Sequence, residues 1–160
     1  MQNIVYSEKS KNINLQGIST GLTTSQKENY EIIRKNWIMF NSKLKNFDIK
    51  LGKNWEKYGV TYKINDKYYY MSAIPDNSEN RNNDFEQFEI QKGLFAHFYH
   101  YGSMDSIKDT YLEIYKQIIP ENNIKLNRTN NLLHFEYYNN QFNWNSGASI
   151  INIFVPVFFS

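Results

Sequence analysis

Residues 131–138 read Asn-Leu-Leu-His-Phe-Glu-Tyr-Tyr, a run that predicts a β-strand with two different faces. Period-two alternation puts Leu132, His134, Glu136 and Tyr138 on one face, and Leu133, Phe135 and Tyr137 on the other. Glu136 is therefore a carboxylate in an otherwise apolar and aromatic run. Such a charge costs free energy unless it is paired, hydrated or available to a ligand. Two other readings stay open, namely that this face meets solvent or that a lysine from elsewhere pairs with Glu136.

The elements around this strand follow the order strand, helix, strand, strand. Phe85 to Tyr101 is an extended aromatic segment broken by Gly93. Ser103 then caps a helix whose apolar stripe is Ile107, Tyr111, Ile114 and Ile118, and Pro120 ends it. After the strand at 131–138, a loop with Phe142 and Trp144 leads to a last strand, Ser149 to Val157.

The first half of the chain has the same order of elements. Ile13 to Leu22 reads as a strand, and Ser25 with Glu28 forms an S-x-x-E capping box. The helix that follows has one apolar stripe, made of Tyr30, Ile33, Trp37, Phe40 and Leu44. A hairpin is predicted from Tyr58 to Ile64 and from Tyr68 to Ile74, around the turn Asn65-Asp66-Lys67 and ending at Pro75.

Tyr58-Gly59 occupies the place in the first half that Phe135-Glu136 occupies in the second. We therefore predict one α+β domain over residues 1–160, built as a tandem pseudo-twofold repeat of a β-α-β-β unit. The half-repeats cover about 11–75 and 85–158, and the polar segment 76–84 is the linker. Two such units would bury surface against each other and leave a central ligand cleft between them.

Aromatic residues make up 17% of the chain and 13 of them are Tyr, which suits a wet pocket, although AT-rich coding is an alternative cause. We expect Tyr58, Tyr68 and Tyr70 to form the wall opposite Glu136, with Tyr69 and Met71 facing the helices as core. Trp37 is expected in the core, with ligand contact as the alternative. A carboxylate among phenols favours an organic cation, because each ring face adds roughly 0.5–2 kcal/mol of cation–π energy.

Composition excludes several classes of protein. The net charge of +2 carries no basic cluster, so direct binding to nucleic acid is not expected. Cysteine is absent, and His97, His100 and His134 have no carboxylate cluster near them in sequence, so neither a metal site nor a cofactor is expected. The polar N-terminus and the lack of a long apolar run predict a soluble, cytoplasmic protein that neither crosses nor binds a membrane.

Several short motifs, in this order and spacing, resemble the GyrI-like effector-binding domain of bacterial transcription activators. They are Gly17, Trp37 with Phe40, Tyr58-Gly59-Val60, His100-Tyr101-Gly102, Asp109-Thr110-Tyr111 with Ile114-Tyr115, Phe135-Glu136-Tyr137-Tyr138, and Ile153-Phe154-Val155-Pro156. The resemblance implies two SH2-like β-α-β-β halves, with the Glu of the F-E-x-Y motif, here Glu136 followed by Tyr138, at the base of the cleft. In multidrug-sensing members that Glu attracts lipophilic cations. We also count His134 and Phe154 among the expected ligand contacts.

Regulators of this family carry a helix-turn-helix domain before the effector domain, whereas here only about 12 polar residues precede the first predicted strand. We therefore expect a stand-alone protein, monomer or homodimer, that binds or sequesters an amphipathic cationic small molecule. One alternative is a GyrI-like hydrolase of electrophilic, cyclopropane-type natural products, with Glu136 as base and Tyr58 or Tyr70 as proton donor. Another is a modulator of a protein partner such as gyrase or a transcription regulator.

Overall fold

The computed structural model describes residues 4–77, 79–143 and 147–159, so Trp144 of the predicted loop lies outside the described residues. The strands are β1 Val5–Lys9, β2 Ile13–Gly21, β3 Glu56–Ile64, β4 Lys67–Pro75, β5 Glu86–Ile90, β6 Gly93–Tyr101, β7 Leu132–Asn139 and β8 Ile150–Pro156. The helices are α1 Gln26–Asn46, α2 Ile107–Glu113 and α3 Ile119–Glu121. A 3-10 turn, Met104–Ser106, precedes α2, and a π-helical turn, Ile114–Ile118, joins α2 to α3.

All eight strands form one antiparallel sheet in the order β1-β6-β8-β7-β3-β4-β2-β5. The order is symmetric about its centre, because β7, β8 and β6 on one side match β3, β4 and β2 on the other. Gly59 faces Glu136 in the central pair of strands, so the two equivalent positions of the repeat meet at the pseudo-twofold axis. The predicted α+β repeat architecture is confirmed, while the half-repeat limits of 11–75 and 85–158 stay a prediction.

The two halves exchange their edge strands. β1 precedes β2 in the chain but pairs with β6, where Ser7 lies opposite Phe95. β5 precedes β6 but pairs with β2, where Phe88 lies opposite Leu15. The predicted extended segment Phe85 to Tyr101 is therefore two strands that serve different halves. The expectation that the first strand begins after about 12 residues is also wrong, because β1 begins at Val5.

Local sequence signals explain where α1 and the hairpin begin and end. The Ser25 hydroxyl accepts a hydrogen bond from the Glu28 amide at 3.3 Å and caps α1. The Glu28 carboxylate accepts from the Thr23 hydroxyl at 3.1 Å, so only half of the predicted capping box forms in the usual way. Asn65 and Asp66 both have positive φ, which gives a two-residue hairpin turn, and Lys67 already pairs with Ile64.

Each face of the sheet has its own apolar core. The first cluster joins the helices to the sheet and includes Trp37, Phe40, Tyr70, Phe98, Ile114 and Tyr138. The second cluster lies on the opposite face and includes Tyr58, Met71, Phe95, Leu132, Phe135 and Phe154. The Tyr62 and Phe88 rings are 4.8 Å apart although two strands separate β3 from β5, so the sheet curls around this second cluster.

Tyr69, Met71 and Leu132 lie on the face opposite to the one expected for them. Tyr69 and Met71 were predicted to face the helices, but they belong to the second cluster, and Tyr70 faces the helices instead. The reason is that the face carrying Glu136 is also the face that the helices cover. Leu132 was predicted to share a face with Glu136, but a register shift between Thr61 and Tyr62 places it in the second cluster. No helix in the described part of the chain is long and apolar enough to cross a membrane.

Candidate ligand-binding site

Glu136 lies in the middle of β7, at the centre of the sheet, and only 4% of its surface is exposed. Gly59 of β3 lies opposite it. A Cβ atom on Gly59 would lie 2.0 Å from the Tyr70 hydroxyl and 2.6 Å from Glu136 Oε1. The repeat therefore places a carboxylate on one side of the axis and the space for it on the other.

Three phenols donate hydrogen bonds to the Glu136 carboxylate. Oε1 accepts from Tyr70 at 2.8 Å and from Tyr138 at 2.5 Å. Oε2 accepts from Tyr111 of α2 at 2.6 Å. The indole of Trp37 in α1 donates to the Tyr70 oxygen at 2.9 Å. One carboxylate thus connects β4, β7, α1 and α2.

Burial dominates the electrostatics of this cluster. It raises the pKa of the Glu136 carboxyl above its ordinary value, and the three phenol hydrogen bonds oppose that rise. Burial, and then the charge of Glu136, hold the pKa values of Tyr70, Tyr111 and Tyr138 well above 10.0, so the phenols stay protonated donors. None of the ion pairs within the described ranges includes Glu136. When ionised, the site therefore holds a negative charge that no basic side chain neutralises through an ion pair there.

His134 borders the cluster next to α2. Its ring centroid is 4.5 Å from that of Tyr111, and its Nδ1 atom lies 2.7 Å from the Tyr115 hydroxyl. Burial, with a smaller effect of Arg128, lowers the pKa of His134 to about 3. The imidazole is therefore neutral near pH 7 and adds an aromatic surface without adding a positive charge.

Five of the eight side chains expected at the site are brought together around the carboxylate: Glu136, Tyr138, Tyr70, Trp37 and His134. Trp37 is 2% exposed in the helix-side core, as expected, and its indole also bonds to Tyr70, while ligand contact by Trp37 stays a prediction.

The other three expected residues lie elsewhere. Tyr58 pairs with Tyr137 in register, one position from the Gly59–Glu136 pair, so its side chain points to the opposite face of the sheet. Phe154 also lies in that second cluster, where it stacks on Phe135 at 4.8 Å. Tyr68 shares a strand face with Tyr70, but it is 41% exposed and lies beside Lys63. The structure therefore separates these three side chains from Glu136.

Tyr111 and Gly59 are essential parts of this geometry that sequence reasoning did not assign to the site. Tyr111 lies on an apolar helical stripe, so the pattern indicated core rather than a hydrogen-bond donor. A signal for Tyr111 was present in the repeat. The repeat matches Trp37 of α1 with Tyr115, which lies four residues after Tyr111. Gly59 was visible as the repeat partner of Glu136, but its close approach is a property of the paired strands.

Little of the Glu136 side chain reaches the surface of this structure. Two cavities, of about 280 Å³ next to Phe88 and Leu132 and about 590 Å³ next to Trp55 and Arg81, lie elsewhere, and Glu136 lines neither. The Tyr30 hydroxyl of α1 donates to the Asp105 carboxylate before α2, which ties together the two helices above the sheet. Within the described ranges, no group of three or more His, Asp or Glu side chains is placed to hold a metal ion.

Comparison with known proteins supports the architecture. The structure of SAV2435 bound to tetraphenylphosphonium matches with a TM-score of 0.74 and 16% identity, over 98% of this chain and 94% of that one. Integron cassette protein VCH_CASS2, from the mobile metagenome of Vibrio cholerae, matches with 0.61 and 14%, over 98% and 97%. The EcmrR C-terminal domain matches with 0.65 and 13%, over 99% and 98%. At these identities the likeness is one of fold.

No curated protein sequence matches the chain. The family model of Cass2, described as integron-associated effector binding protein, matches residues 8–157. That range contains Glu136, all three of its phenol donors, α1 and α2. The expected relationship to effector-binding domains of the GyrI-like type is thus confirmed, and the chain belongs to the Cass2 family of integron-associated effector binding proteins.

Proposed function

We propose that this chain binds lipophilic organic cations at Glu136, with Tyr70, Tyr111, Tyr138 and His134 around the ligand. The observation that supports the proposal most directly is a carboxylate that is only 4% exposed and bonded to three phenols. In the described residues it forms no ion pair with a basic side chain.

The energetics favour a cation over a neutral ligand. Taking an ionised carboxylate out of water costs several kcal/mol, and phenol hydrogen bonds recover only part of that cost. A cation within reach of Glu136 would recover more, because Coulomb attraction is stronger in the lowered dielectric of the interior. Each adjacent ring face would add roughly 0.5–2 kcal/mol of cation–π energy.

The comparisons are consistent with this class of ligand. The family is one of effector binding proteins, and SAV2435, which has the same fold, was solved with tetraphenylphosphonium, a lipophilic cation. Because Glu136 is 4% exposed and the Tyr30–Asp105 hydrogen bond ties α1 to the turn before α2, we expect α1 or α2 to move when a ligand of that size binds. Ligand binding would then select a more open arrangement of the helices over the sheet. The biological role that we propose is sequestration of such compounds or signalling of their presence to a partner regulator.

Titration of the full chain with tetraphenylphosphonium tests the proposal. We expect saturable quenching of tryptophan fluorescence, since Trp37 bonds directly to Tyr70, and a matching heat of binding by calorimetry. Glu136→Gln should weaken binding at least tenfold, which corresponds to about 1.4 kcal/mol. Glu121→Gln, at an exposed helix end, makes the same change in net charge and should leave the affinity unchanged.

Two results would contradict the proposal. One is unaltered affinity in Glu136→Gln while thermal unfolding shows that the variant is folded. The other is equally tight binding of neutral triphenylphosphine oxide, because rings alone would then explain recognition. Turnover of an electrophilic substrate with dependence on Glu136 would instead favour the hydrolase alternative.

A further inference from the structure

We infer that the Glu136 site discriminates among cations by their N–H groups, and prefers quaternary ammonium or phosphonium ions over protonated amines of the same shape. This inference rests on the proposed cation-binding function and concerns its selectivity. It follows from how many hydrogen-bond acceptors the carboxylate still offers to a ligand.

The carboxylate is nearly saturated with donors. An ionised carboxylate has about four lone-pair positions, two on each oxygen. Tyr70 and Tyr138 both donate to Oε1, and Tyr111 donates to Oε2. Counting the bonds of the described residues, one acceptor position on Oε2 is left for a ligand.

The donors are not easily displaced. Tyr70 and Tyr138 are 0% and 2% exposed, so a hydroxyl pushed off the carboxylate would not reach water. Exchanging the carboxylate for a weak acceptor, such as the Met104 Sδ atom 3.5 Å from the Tyr138 hydroxyl, still leaves much of the desolvation penalty of a buried donor uncompensated. A ligand N–H can therefore gain a bond to Oε1 only by removing one of comparable value.

The rest of the wall offers few alternative acceptors. The Tyr70 oxygen already accepts from Trp37, and His134 Nδ1 is within hydrogen-bond distance of Tyr115. Phenol oxygens are also weaker partners for a cationic N–H than a carboxylate is. A primary ammonium has three N–H donors and would leave at least one of them poorly bonded. A quaternary ion has none to satisfy, and it keeps both its Coulomb and its cation–π attraction.

A matched pair of probes tests this inference on the full chain. We would measure the dissociation constants of 4-phenylbenzyl-trimethylammonium and 4-phenylbenzylammonium at pH 7, where both are charged. We expect the quaternary ion to bind at least tenfold more tightly. The three methyl groups of the quaternary ion add apolar surface in any pocket. The ratio of the two dissociation constants is therefore compared between protein variants and not interpreted for the wild type alone.

Tyr111→Phe supplies the decisive comparison, since it keeps the ring and frees a second acceptor position on Oε2. The preference for the quaternary ion should fall at least threefold in this variant, because the primary ammonium gains a partner. Tyr137→Phe is the matched control. It also removes a phenol bond to a carboxylate, Glu56, but on the opposite face of the sheet, so the ratio should stay at the wild-type value.

The outcomes separate this inference from the function on which it rests. If both probes bind, depend on Glu136 and differ by less than threefold in the wild type, the selectivity inference is wrong and the proposed function stands. The selectivity inference is also wrong if Tyr111→Phe has a normal thermal transition and leaves the affinity ratio of the two probes unchanged. If neither probe nor tetraphenylphosphonium binds in a Glu136-dependent way, both proposals fail together.

Discussion

Glu136 and Gly59 show how single residues shape this site. The carboxylate is buried at the centre of the sheet, where burial raises its pKa and three phenols partly offset that effect. Its neighbour across the strand pair has no side chain, and the resulting space holds the Tyr70 hydroxyl. The carboxylate at position 136 is therefore matched by a glycine at position 59, whose missing side chain leaves room for the Tyr70 hydroxyl.

The pH dependence of stability should reveal the buried carboxyl. The folded pKa of Glu136 lies above the ordinary value of 4.5, so the folded protein holds this proton more tightly than the unfolded chain. The free energy of unfolding should therefore fall as the pH rises from 4.5 through the folded pKa, by up to about 1.4 kcal/mol per pH unit from this group. Denaturant unfolding across this range should show that the free energy of unfolding of the wild type falls relative to that of Glu136→Gln as the pH rises. Parallel curves would contradict the prediction.

Gly59→Ala should damage both stability and binding. The added methyl group would lie 2.0 Å from the Tyr70 hydroxyl, so Tyr70 or the strand must shift. We expect a loss of about 1–3 kcal/mol in the free energy of unfolding, together with weaker binding of tetraphenylphosphonium. Gly21→Ala is the control, because its methyl group meets nothing within 4 Å, and it should change stability by less than about 0.5 kcal/mol. Equal effects of the two substitutions would exclude a special role for the Gly59 position.

At the scale of secondary structure, α1 and α2 form the cover of the site. α1 contributes Trp37 and α2 contributes Tyr111, and both are linked to Glu136 through phenol hydroxyls. The Tyr30–Asp105 hydrogen bond joins the start of α1 to the turn before α2. Both helices lie on the face of the sheet that carries the carboxylate, so we expect their separation to affect access to it.

Tyr30→Phe should accelerate ligand exchange. Removing the hydroxyl breaks the bond to Asp105 and lowers the cost of separating the helices by about 1 kcal/mol, which is roughly fivefold in rate. Stopped-flow fluorescence with tetraphenylphosphonium should show association and dissociation rates that rise together, with little change in affinity. Tyr101→Phe, which alters a phenol that is 65% exposed at the end of β6, should leave both rates unchanged. A lower affinity with unchanged association would show that Tyr30 contacts the ligand instead.

Over the whole molecule, exchange of the edge strands makes the halves interdependent. β1 is continuous with β2 but completes the sheet next to β6, and β5 is continuous with β6 but completes the sheet next to β2. The central β3–β7 pair joins the halves directly. Neither half can lose its structure without exposing strand edges and apolar surface of the other.

Unfolding should therefore be a single cooperative transition. In a Trp144→Phe variant the two remaining tryptophans, Trp37 and Trp55, both lie in the first half, whereas the far-ultraviolet circular dichroism signal reports strands and helices of both halves. Denaturation followed by the two signals should give the same midpoint and the same slope. A fluorescence transition that precedes or follows the circular dichroism transition would show that the halves unfold separately.

The sequence by itself determined the local elements. Periodicity predicted the strand that carries Glu136, Ser25 predicted the start of α1, and Asn65 with Asp66 predicted the hairpin. These signals are reliable because capping, turn geometry and side-chain alternation depend on neighbours within a few residues. The repeat made Glu136 the equivalent of Gly59 for the same reason, since that match needs only the order of elements, and the structure adds that the two positions pair across β3 and β7.

Only the tertiary structure decided which faces and edges meet. Alternation divides β4 into two sets of side chains and predicted the contact of Tyr70 with Glu136, but only packing decided that the helices cover this face and not the face of Tyr69 and Met71. Long-range pairing likewise assigned β1 and β5 to opposite halves. The hydrogen bond from Tyr111 of α2 to Glu136 is a long-range contact of the same kind. Such contacts join residues far apart in the chain, and their energy depends on the packed arrangement as a whole, so no short segment encodes them.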